Sequence, residues 1–422
     1  MNRSLQVMKF GGTSVGDASA IQKVAEIVHA ASRASDLVVV VSAMSGVTNQ
    51  LLEAANQAKM GARSAVQEIF GELRSRHYAT LRKLIHSTPD RACVAAQVEQ
   101  ILRNGEQLCE GAALLRQLTT ATRDAISGLG ERLSAPIVAA ALNQRGVTSE
   151  AIEAAELIRT DSCHGSAAPQ MATTRNLCHA RLRPLLQRGL VPVVTGFIGA
   201  TAEGALTTLG RGGSDYSATI LGAALDAEQV TIWTDVDGLM TADPRLVPSA
   251  STIAEISYQE AAELARCGAK VLHPKTLSPV AESGIPIWIR NTFAPEHRGT
   301  RITPAGPATE AAVKGLAVMS DAAGPVLATV TAVGRNMRDP EVVGRILTAI
   351  GRQSLNLISI PTGSSEHGFS FVVARLDLQS ALEAVHQEFR LDAVDVTPNS
   401  TESIPAAADA WTYAAQGTAS AD

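Results

Sequence analysis

The sequence predicts an α/β fold: a sheet covered by helices on both faces, followed by a smaller βαββα unit. Short apolar runs recur along the 422-residue chain, and longer helical patterns separate them. This alternation is typical of an α/β sandwich. The runs are continuously apolar rather than alternating, as expected for parallel or mixed strands that are buried on both faces. After residue 303 the pattern changes, which indicates a second unit.

The apolar runs define the strands of the first unit, and the segments between them define its helices. We expect buried strands at 6–10, 37–41, 191–197, 230–234 and 285–289. We expect helices at 18–32, 45–59 and 134–145, with the segment 60–125 mostly helical. One helix start is marked by a capping box, in which Ser257 is followed three residues later by Glu260. That helix should end near Arg266, because Gly268 is suited to the following position.

The second unit follows a linker rich in Pro and Gly at residues 303–307. Its predicted elements are a strand at 326–333, a helix at 340–352, strands at 355–361 and 369–375, and a helix at 378–389. Residues 396–422 are rich in Ala, Ser and Thr, a composition typical of a disordered tail.

Composition excludes several functional classes. Hydrophobic residues make up 45% of the chain and charged residues 18%, which predicts a well-buried core. The net charge of −5, without a Lys/Arg run, argues against a nucleic-acid partner. The longest pure aliphatic run, 37–41, is far shorter than the roughly 20 residues that span a bilayer, so we expect no membrane partner. The five cysteines are scattered, and the first strand leaves no room for a signal peptide, so we expect a soluble cytoplasmic protein.

Polar and glycine residues collect directly after four of the predicted strands. These clusters occupy residues 9–14, 42–48, 195–199 and 234–238. Ligands of open α/β sheets bind beyond the carboxyl ends of the strands. One cluster of this kind is compatible with an ordinary turn, but four together predict one shared ligand cleft.

The first cluster has the features of an anion site. Gly11 and Gly12 allow backbone amides to approach a phosphate, and the following helix presents its positive end. Lys9 would add a positive charge beside a transferring phosphoryl group. A tight strand–helix turn with a solvated lysine is the alternative for this motif taken alone.

Two further motifs add charged groups. In the segment 210–217, Arg211 suits a carboxylate, whereas Asp215 is either functional or simply a favourable charge in a first helical turn. The segments 233–238 and 242–245 resemble a nucleotide or Mg²⁺ loop, although Asp-Gly and Asp-Pro are also common turn formers. Lys270 is placed to reach phosphates, and a structural role in a turn is expected for His273.

These motifs together resemble those of the aspartate kinases, members of the amino-acid kinase family. The matching segments are 9–15, 210–217 and 268–274, while 232–238 is especially similar to the kinase half of bifunctional aspartokinase–homoserine dehydrogenases. The resemblance covers about residues 5–303. It implies an amino-acid kinase catalytic domain over 1–303 and ATP-dependent phosphorylation of L-aspartate on its side-chain carboxylate. The product would be 4-phospho-L-aspartate, made by a homodimer at the start of aspartate-family amino-acid biosynthesis.

The resemblance also assigns roles to individual positions. It implies catalytic roles for Lys9 and Asp215. It implies substrate contacts for Thr48, Glu131, Arg211, Gly212, Gly213 and Ser214. It implies ATP contacts for Lys9, Gly11, Gly12, Thr13, Ser14, Thr234, Asp235, Met240, Arg245, Lys270 and Val271. Mg²⁺ is expected to enter bound to ATP, without a direct protein ligand.

The C-terminal unit, residues 313–395, resembles one ACT regulatory domain. Its effector loop would include Asn356, Ser364, Ser365 and Glu366. Aspartate kinases typically carry two interleaved ACT domains, and the pattern here resembles only one, so reduced feedback control by lysine or threonine is expected. Further departures are Met240, where Tyr is frequent, and Gly128, where Ser is frequent.

Two alternatives stay open at this stage. An amino-acid kinase acting on another amino acid or carboxylate keeps the fold, but Glu131 and Arg211 suit an α-amino acid with both groups free. A non-catalytic amino-acid sensor is the second alternative, and the joint presence of Lys9, Asp215 and Lys270 argues against it.

Overall fold

The computed structural model describes residues 3–269, 272–307, 312–319, 326–361 and 365–392. The expectations for Lys270, Val271, Ser364 and the tail 396–422 therefore lie outside the described residues. The strands of the first unit are β1 Leu5–Phe10, β2 Asp36–Val41, β3 Ser149–Ile152, β4 Val191–Thr195, β5 Ile198–Ala200, β6 Leu206–Thr208, β7 Gln229–Thr234, β8 Glu255–Ser257, β9 Ile287–Asn291 and β10 Thr300–Thr303.

The helices of this unit surround the sheet. They are α1 Ala18–Ala31, α2 Val47–Met60, α3 Arg63–Leu84, α4 Thr88–Leu115, α5 Thr120–Ser127, α6 Leu129–Gln144, α7 Met171–Gln187, α8 Gly213–Leu225, α9 Tyr258–Arg266 and α10 Pro274–Ala281. The predicted capping box of α9 is confirmed, with Ser257 and Glu260 bonded to each other's backbone amides.

The main sheet has eight strands in the order β3-β4-β2-β1-β7-β9-β10-β8. All neighbouring pairs are parallel except β9 and β10, which are antiparallel. Successive side chains of a strand point to opposite faces of a sheet. Met8 and Phe10 accordingly join the core formed with α1 to α6, while Val7 joins the core formed with α7 to α10. The predicted α/β sandwich is confirmed.

Differences from the expected boundaries are instructive. The expected strand 191–197 ends at Thr195, because Phe197 has a φ of +67° that no strand residue adopts. The helix expected at 134–145 begins earlier, at Leu129, and this places Glu131 in its first turn. The strands β3, β8 and β10 were not predicted, since runs of three or four residues carry little periodicity.

The second unit contains β11 Val313–Met319, β12 Leu327–Gly334, α11 Pro340–Arg352, β13 Leu357–Ser359, β14 Gly368–Ala374 and α12 Leu378–Glu388. Its antiparallel sheet has the order β11-β12-β14-β13. The expected βαββα pattern is therefore corrected to ββαββα. The strand β11 was missed because a lysine and a glycine, Lys314 and Gly315, interrupt its apolar pattern.

One described helical stretch, Thr120–Gln144, is long and apolar enough by composition to cross a membrane, but 78% of its most apolar window is buried. It consists of α5 and α6, which pack against α2 and α4. Burial of this kind is typical of a core helix in a globular domain.

Candidate active site

A cavity of about 840 Å³ lies at the carboxyl ends of the central strands, as the sequence predicts. The predicted site residues that line it are Lys9, Gly11, Gly12, Thr13, Thr48, Glu131, Arg211, Gly212, Gly213, Ser214, Asp215, Thr234 and Asp235. Residues separated by more than 200 positions in sequence therefore meet in one space.

The centre of the cavity holds an ion pair between β1 and α8. The Nζ of Lys9 lies 2.5 Å from Oδ1 of Asp215, and both side chains are largely buried. Lys9 is placed there because β1 is the central strand, with β2 on one side and β7 on the other. The pair orients the ammonium group while leaving it at the cavity surface.

The start of α8 forms one wall of the cavity. Gly212 is the N-cap of this helix, with a φ of +70°, a conformation that favours glycine. The first turn contains Ser214 and Asp215, so the positive end of the helix dipole faces the cavity. Arg211 is exposed and forms no ion pair within the described part of the chain. Its guanidinium group is available for a carboxylate ligand.

Glu131 also lines the cavity, close to Ser214 of α8, and is only 3% exposed. Burial raises the pKa of its carboxyl group to about 8, although hydrogen bonds from the backbone of Ala43 and the charge of Lys9 act in the opposite direction. One of its oxygens, Oε2, has no hydrogen-bond partner among the described residues. A buried acceptor without a partner is suited to a ligand that brings a donor, such as an ammonium group.

Sequence analysis missed a buried polar group on the cavity wall, the carboxylate of Asp124 in α5. It accepts hydrogen bonds from the backbone amides of Gly165 and Thr208 and from the hydroxyl of Thr208. Its Oδ2 also lies 3.0 Å from Nδ1 of His164. No motif surrounds Asp124, and an acidic residue in a helical segment looks like a solvated one. Only the tertiary contacts distinguish it.

Three predicted ATP contacts do not line the cavity. Ser14 is fully buried and lies 2.7 Å from the hydroxyl of Thr292. Met240 forms an isolated bridge with Thr252, and Arg245 is exposed and paired with Asp243. Their contact with nucleotide stays a prediction. His273, expected to be structural, caps α10 by accepting from the amide of Lys275.

The segment that follows β7 is anchored in the C-terminal unit. Ala242 and Val247 belong to the hydrophobic core of that unit, together with strands β11, β12 and β14. Thr241 and His386 of α12 are both buried, with Oγ1 and Nε2 3.0 Å apart. The hydroxyl of Ser251 donates to the carbonyl of Leu391. The segment that begins with Asp235 at the cavity thus packs into the core of the second unit before it reaches β8.

The expected effector residues lie in two loops of the second unit. Asn356 is exposed between α11 and β13, and Glu366 is exposed before β14. Ser365 accepts a hydrogen bond from the amide of His367 and lies near Glu263 of α9. Their role in effector binding stays a prediction.

The side chains of the cavity that could ligate a metal ion are carboxylates. Within the described ranges there is no group of three or more His, Cys, Asp or Glu residues that would hold a metal ion. Four acidic residues do line the cavity, and two of them, Asp215 and Asp235, lie beside the predicted phosphate-binding residues in sequence or in the ion pair with Lys9. Mg²⁺ is usually held by one or two carboxylates together with substrate phosphates, so the residues present fit a metal that enters with a nucleotide.

A mostly parallel sheet with glycine-rich strand ends, a buried lysine and a helix N-terminus at one cavity define an α/β protein whose cavity is suited to anionic ligands. Residues 4–291 match the amino acid kinase family, and residues 330–389 match the ACT domain. The chain belongs to the amino acid kinase family.

Relatives and solved structures agree with this assignment. The chain is 40% identical over 296 residues to lysine-sensitive aspartokinase 3 of Escherichia coli, an alignment that covers 70% of this chain and 63% of that protein. It is 35% identical over 392 residues to a chloroplastic bifunctional aspartokinase/homoserine dehydrogenase of Zea mays, covering 91% of this chain and 41% of that protein. The chain thus spans less than two thirds of these relatives' lengths.

The fold is similar to that of Escherichia coli aspartokinase III in complex with aspartate and ADP. The TM-score is 0.77 at 28% sequence identity, and the alignment covers 91% of this chain and 99% of that one. Aspartate kinase from Clostridium acetobutylicum, at 24% identity and a TM-score of 0.73, supports the fold alone. The resemblance to aspartate kinases that the motifs indicated is confirmed.

Proposed function

We propose that this chain transfers the γ-phosphoryl group of ATP to the side-chain carboxylate of L-aspartate, producing 4-phospho-L-aspartate. The observation that carries the proposal is the meeting of Lys9, Asp215, Glu131 and Arg211 at one cavity. Arg211 suits an α-carboxylate and Glu131 suits an ammonium group, so the two together suit a free amino acid. The similarity to aspartokinases supports aspartate as that amino acid.

The reaction requires positioning and charge neutralisation more than proton transfer. A carboxylate is already ionised at neutral pH, so its oxygen attacks phosphorus without a general base. Lys9 stabilises negative charge on the phosphoryl oxygens, and Asp215 keeps the ammonium of Lys9 oriented toward the cavity. The N-terminus of α8 adds backbone amides to the same region.

Mg²⁺ would neutralise charge on the phosphates of ATP when bound. Asp235 is the cavity carboxylate that lies among the predicted ATP contacts, and Asp215 is the one with a predicted catalytic role. Thr234 donates a hydrogen bond to Asp235, which keeps that side chain beside β7. In this proposal Mg²⁺ enters as a complex with ATP, and the product feeds aspartate-family amino-acid biosynthesis.

Cellular setting and assembly are part of the same proposal. The five cysteines are all free thiols, which suits a reducing cytoplasm. The edge strand β13 exposes Ile358, 45% accessible, and Ile360 just after the strand is 42% accessible, which suits pairing with a second copy in a homodimer. The measurement for assembly is the mass of the purified protein by light scattering.

The proposed activity is tested by trapping the acyl phosphate with hydroxylamine. We expect aspartyl hydroxamate from protein, ATP, Mg²⁺ and L-aspartate, and none when L-aspartate is omitted or replaced by L-glutamate. Lysine and threonine, added separately, test feedback control, and we expect little inhibition by either. A folded protein that binds ATP and forms no hydroxamate with aspartate would sink the proposal in favour of another amino-acid substrate or a sensor.

A further inference from the structure

We propose that Asp124 is a positioning residue that sets the affinity of the cavity for its amino-acid substrate. The inference rests on the proposed function, since it concerns the substrate side of the same cavity. It does not require Asp124 to touch the substrate. Its carboxylate would instead hold two segments of the cavity wall at a fixed distance from Glu131.

Four donors converge on this single carboxylate, which is 3% exposed. The amides of Gly165 and Thr208 lie 2.9 and 3.0 Å from Oδ2, and the hydroxyl of Thr208 lies 2.7 Å from Oδ1. The Nδ1 of His164 lies 3.0 Å from Oδ2. A carboxylate is the one side-chain group that accepts at all of these positions. Hydrogen bonds to charged groups are also stronger than neutral ones.

The segments that Asp124 holds both lead to Arg211. Thr208 is the last residue of β6, three positions before Arg211. Gly165 lies next to the same turn, because a Cβ atom added at Gly210 would lie 3.1 Å from the carbonyl oxygen of Gly165. The turn that presents Arg211 therefore lies next to two segments, and the carboxylate of Asp124 is hydrogen-bonded to both.

The helix that carries Asp124 leads directly to the other substrate group. Residue Gly128 joins α5 to α6, and Glu131 lies in the first turn of α6. Asp124 thus links the element that positions Glu131 to the turn that positions Arg211. These are the two groups proposed to bind the ammonium and the α-carboxylate of one substrate, so their spacing determines its affinity.

The nucleotide side of the cavity, lined by Gly11, Gly12, Thr13, Thr234 and Asp235, lies on other elements than those that Asp124 joins. Asp124 makes no hydrogen bond to β1, to β7 or to the loops that follow them, within the described part of the chain. Loss of the carboxylate should therefore weaken binding of the amino acid and spare binding of ATP. A general loss of folding stability would not separate the two substrates in this way.

The chain offers a matched control at Thr207. Its Oγ1 lies 2.7 Å from Oγ1 of Thr160, and both side chains are buried. This bond joins β6 to the beginning of the segment that contains Gly165, the same two segments that Asp124 joins. Thr207, unlike Asp124, does not line the cavity.

The test measures KM for L-aspartate, KM for ATP and kcat in Asp124→Ala, Asp124→Asn and Thr207→Val. We expect Asp124→Ala to raise KM for L-aspartate by about tenfold or more and to change KM for ATP by less than about twofold. Asp124→Asn should have a smaller effect, because its amide oxygen still accepts from the two backbone amides. Thr207→Val should leave both KM values near those of the wild type.

The result that would overturn the inference is an unchanged KM for L-aspartate in folded Asp124→Ala, or an equal rise in both KM values. An equal rise in Thr207→Val would also overturn it, because the effect would then follow from general loosening of the two segments. If Asp124→Ala does not fold, the same criteria apply to Asp124→Asn.

Amide hydrogen exchange separates this inference from the proposed function. In ligand-free Asp124→Asn, amides of residues 209–213 should exchange several-fold faster than in the wild type and in Thr207→Val. Wild-type protein that forms no hydroxamate from L-aspartate would refute the proposed function, and unchanged exchange at 209–213 would refute the positioning role of Asp124.

Discussion

The two sides of the cavity are held in place by different parts of the molecule. The substrate side is fixed inside the catalytic unit, where Asp124 ties the segment containing Gly165 and strand β6 to α5. The nucleotide side depends on the second unit, because the loop after β7 places Ala242 and Val247 in the core of that unit. A change in the second unit therefore has a direct structural route to the ATP side of the cavity through this loop.

The largest expected effect concerns Lys9, which lies between the substrate side and the nucleotide side of the cavity. Lys9→Ala should lower kcat by about 10²- to 10³-fold, as expected for loss of a group that stabilises developing negative charge. The melting temperature should also fall, because the substitution leaves the largely buried carboxylate of Asp215 without its ion-pair partner, so kcat is measured at a temperature where the variant is folded. Lys59, an exposed lysine at the end of α2, provides the matched control Lys59→Ala. Retention of wild-type kcat in Lys9→Ala would contradict the role of Lys9.

A second prediction concerns the substrate side alone. Because burial raises the pKa of Glu131 to about 8, its carboxyl group is mostly neutral at pH 6 to 7 and ionises as the pH rises. Binding an ammonium group requires the ionised form. We expect KM for L-aspartate to fall by about tenfold per unit between pH 6 and 7 and to level off above pH 8. KM for ATP should not follow this curve.

The ionisation of Glu131 has the opposite effect on folding stability: rising pH favours substrate binding but lowers the free energy of unfolding. Stability therefore provides an independent measurement. The folded protein keeps the proton on Glu131 that the unfolded chain releases near its ordinary pKa. The contribution of this residue to the free energy of unfolding is thus greatest at acidic pH and is lost as the pH rises through about 8. In Glu131→Gln both the KM trend and this stability trend should disappear. A variant that keeps the KM trend would assign it to another group.

The smallest expected effect tests the nucleotide side. Thr241→Val removes the hydroxyl that contacts Nε2 of His386 and accepts a hydrogen bond from the amide of Ser251. Loss of about 1 kcal/mol of anchoring predicts a rise of about fivefold in KM for ATP, with KM for L-aspartate unchanged. Thr348→Val is the control, because that hydroxyl bonds only within α11. A rise in KM for L-aspartate alone would break the comparison between the two sides.

Sequence patterns were sufficient for the parts of the site that local chemistry defines. Continuous apolar runs located β1, β2, β4, β7 and β9, and the rule that ligands bind at strand ends brought Lys9, Thr48 and Asp235 to one cavity. The resemblance to aspartate kinases added Glu131, which lies in the first turn of α6 and is not one of the polar residues that follow a strand.

The parts that sequence could not provide depend on tertiary contacts. Asp124 lines the cavity, and the groups that donate hydrogen bonds to it are distant in sequence. The residues next to Asp124 in sequence do not indicate this position. Phe197 interrupts an apolar run with a left-handed backbone conformation that its residue type does not predict. The association of Thr241 with His386 joins positions 145 residues apart and leaves no periodic signal.

The position of β1 at the centre of the main sheet has a consequence for the order of folding. This strand is the first to be synthesised, and it pairs with β2 after a short interval of sequence. Its other neighbour, β7, lies more than 200 residues later, so β1 can form its second set of strand pairs only after more than half of the chain has been synthesised. Pairing of such distant strands makes folding slow and leaves one edge of β1 open in the meantime. The cavity, built on both neighbours of β1, can therefore be completed only after β7 has been synthesised.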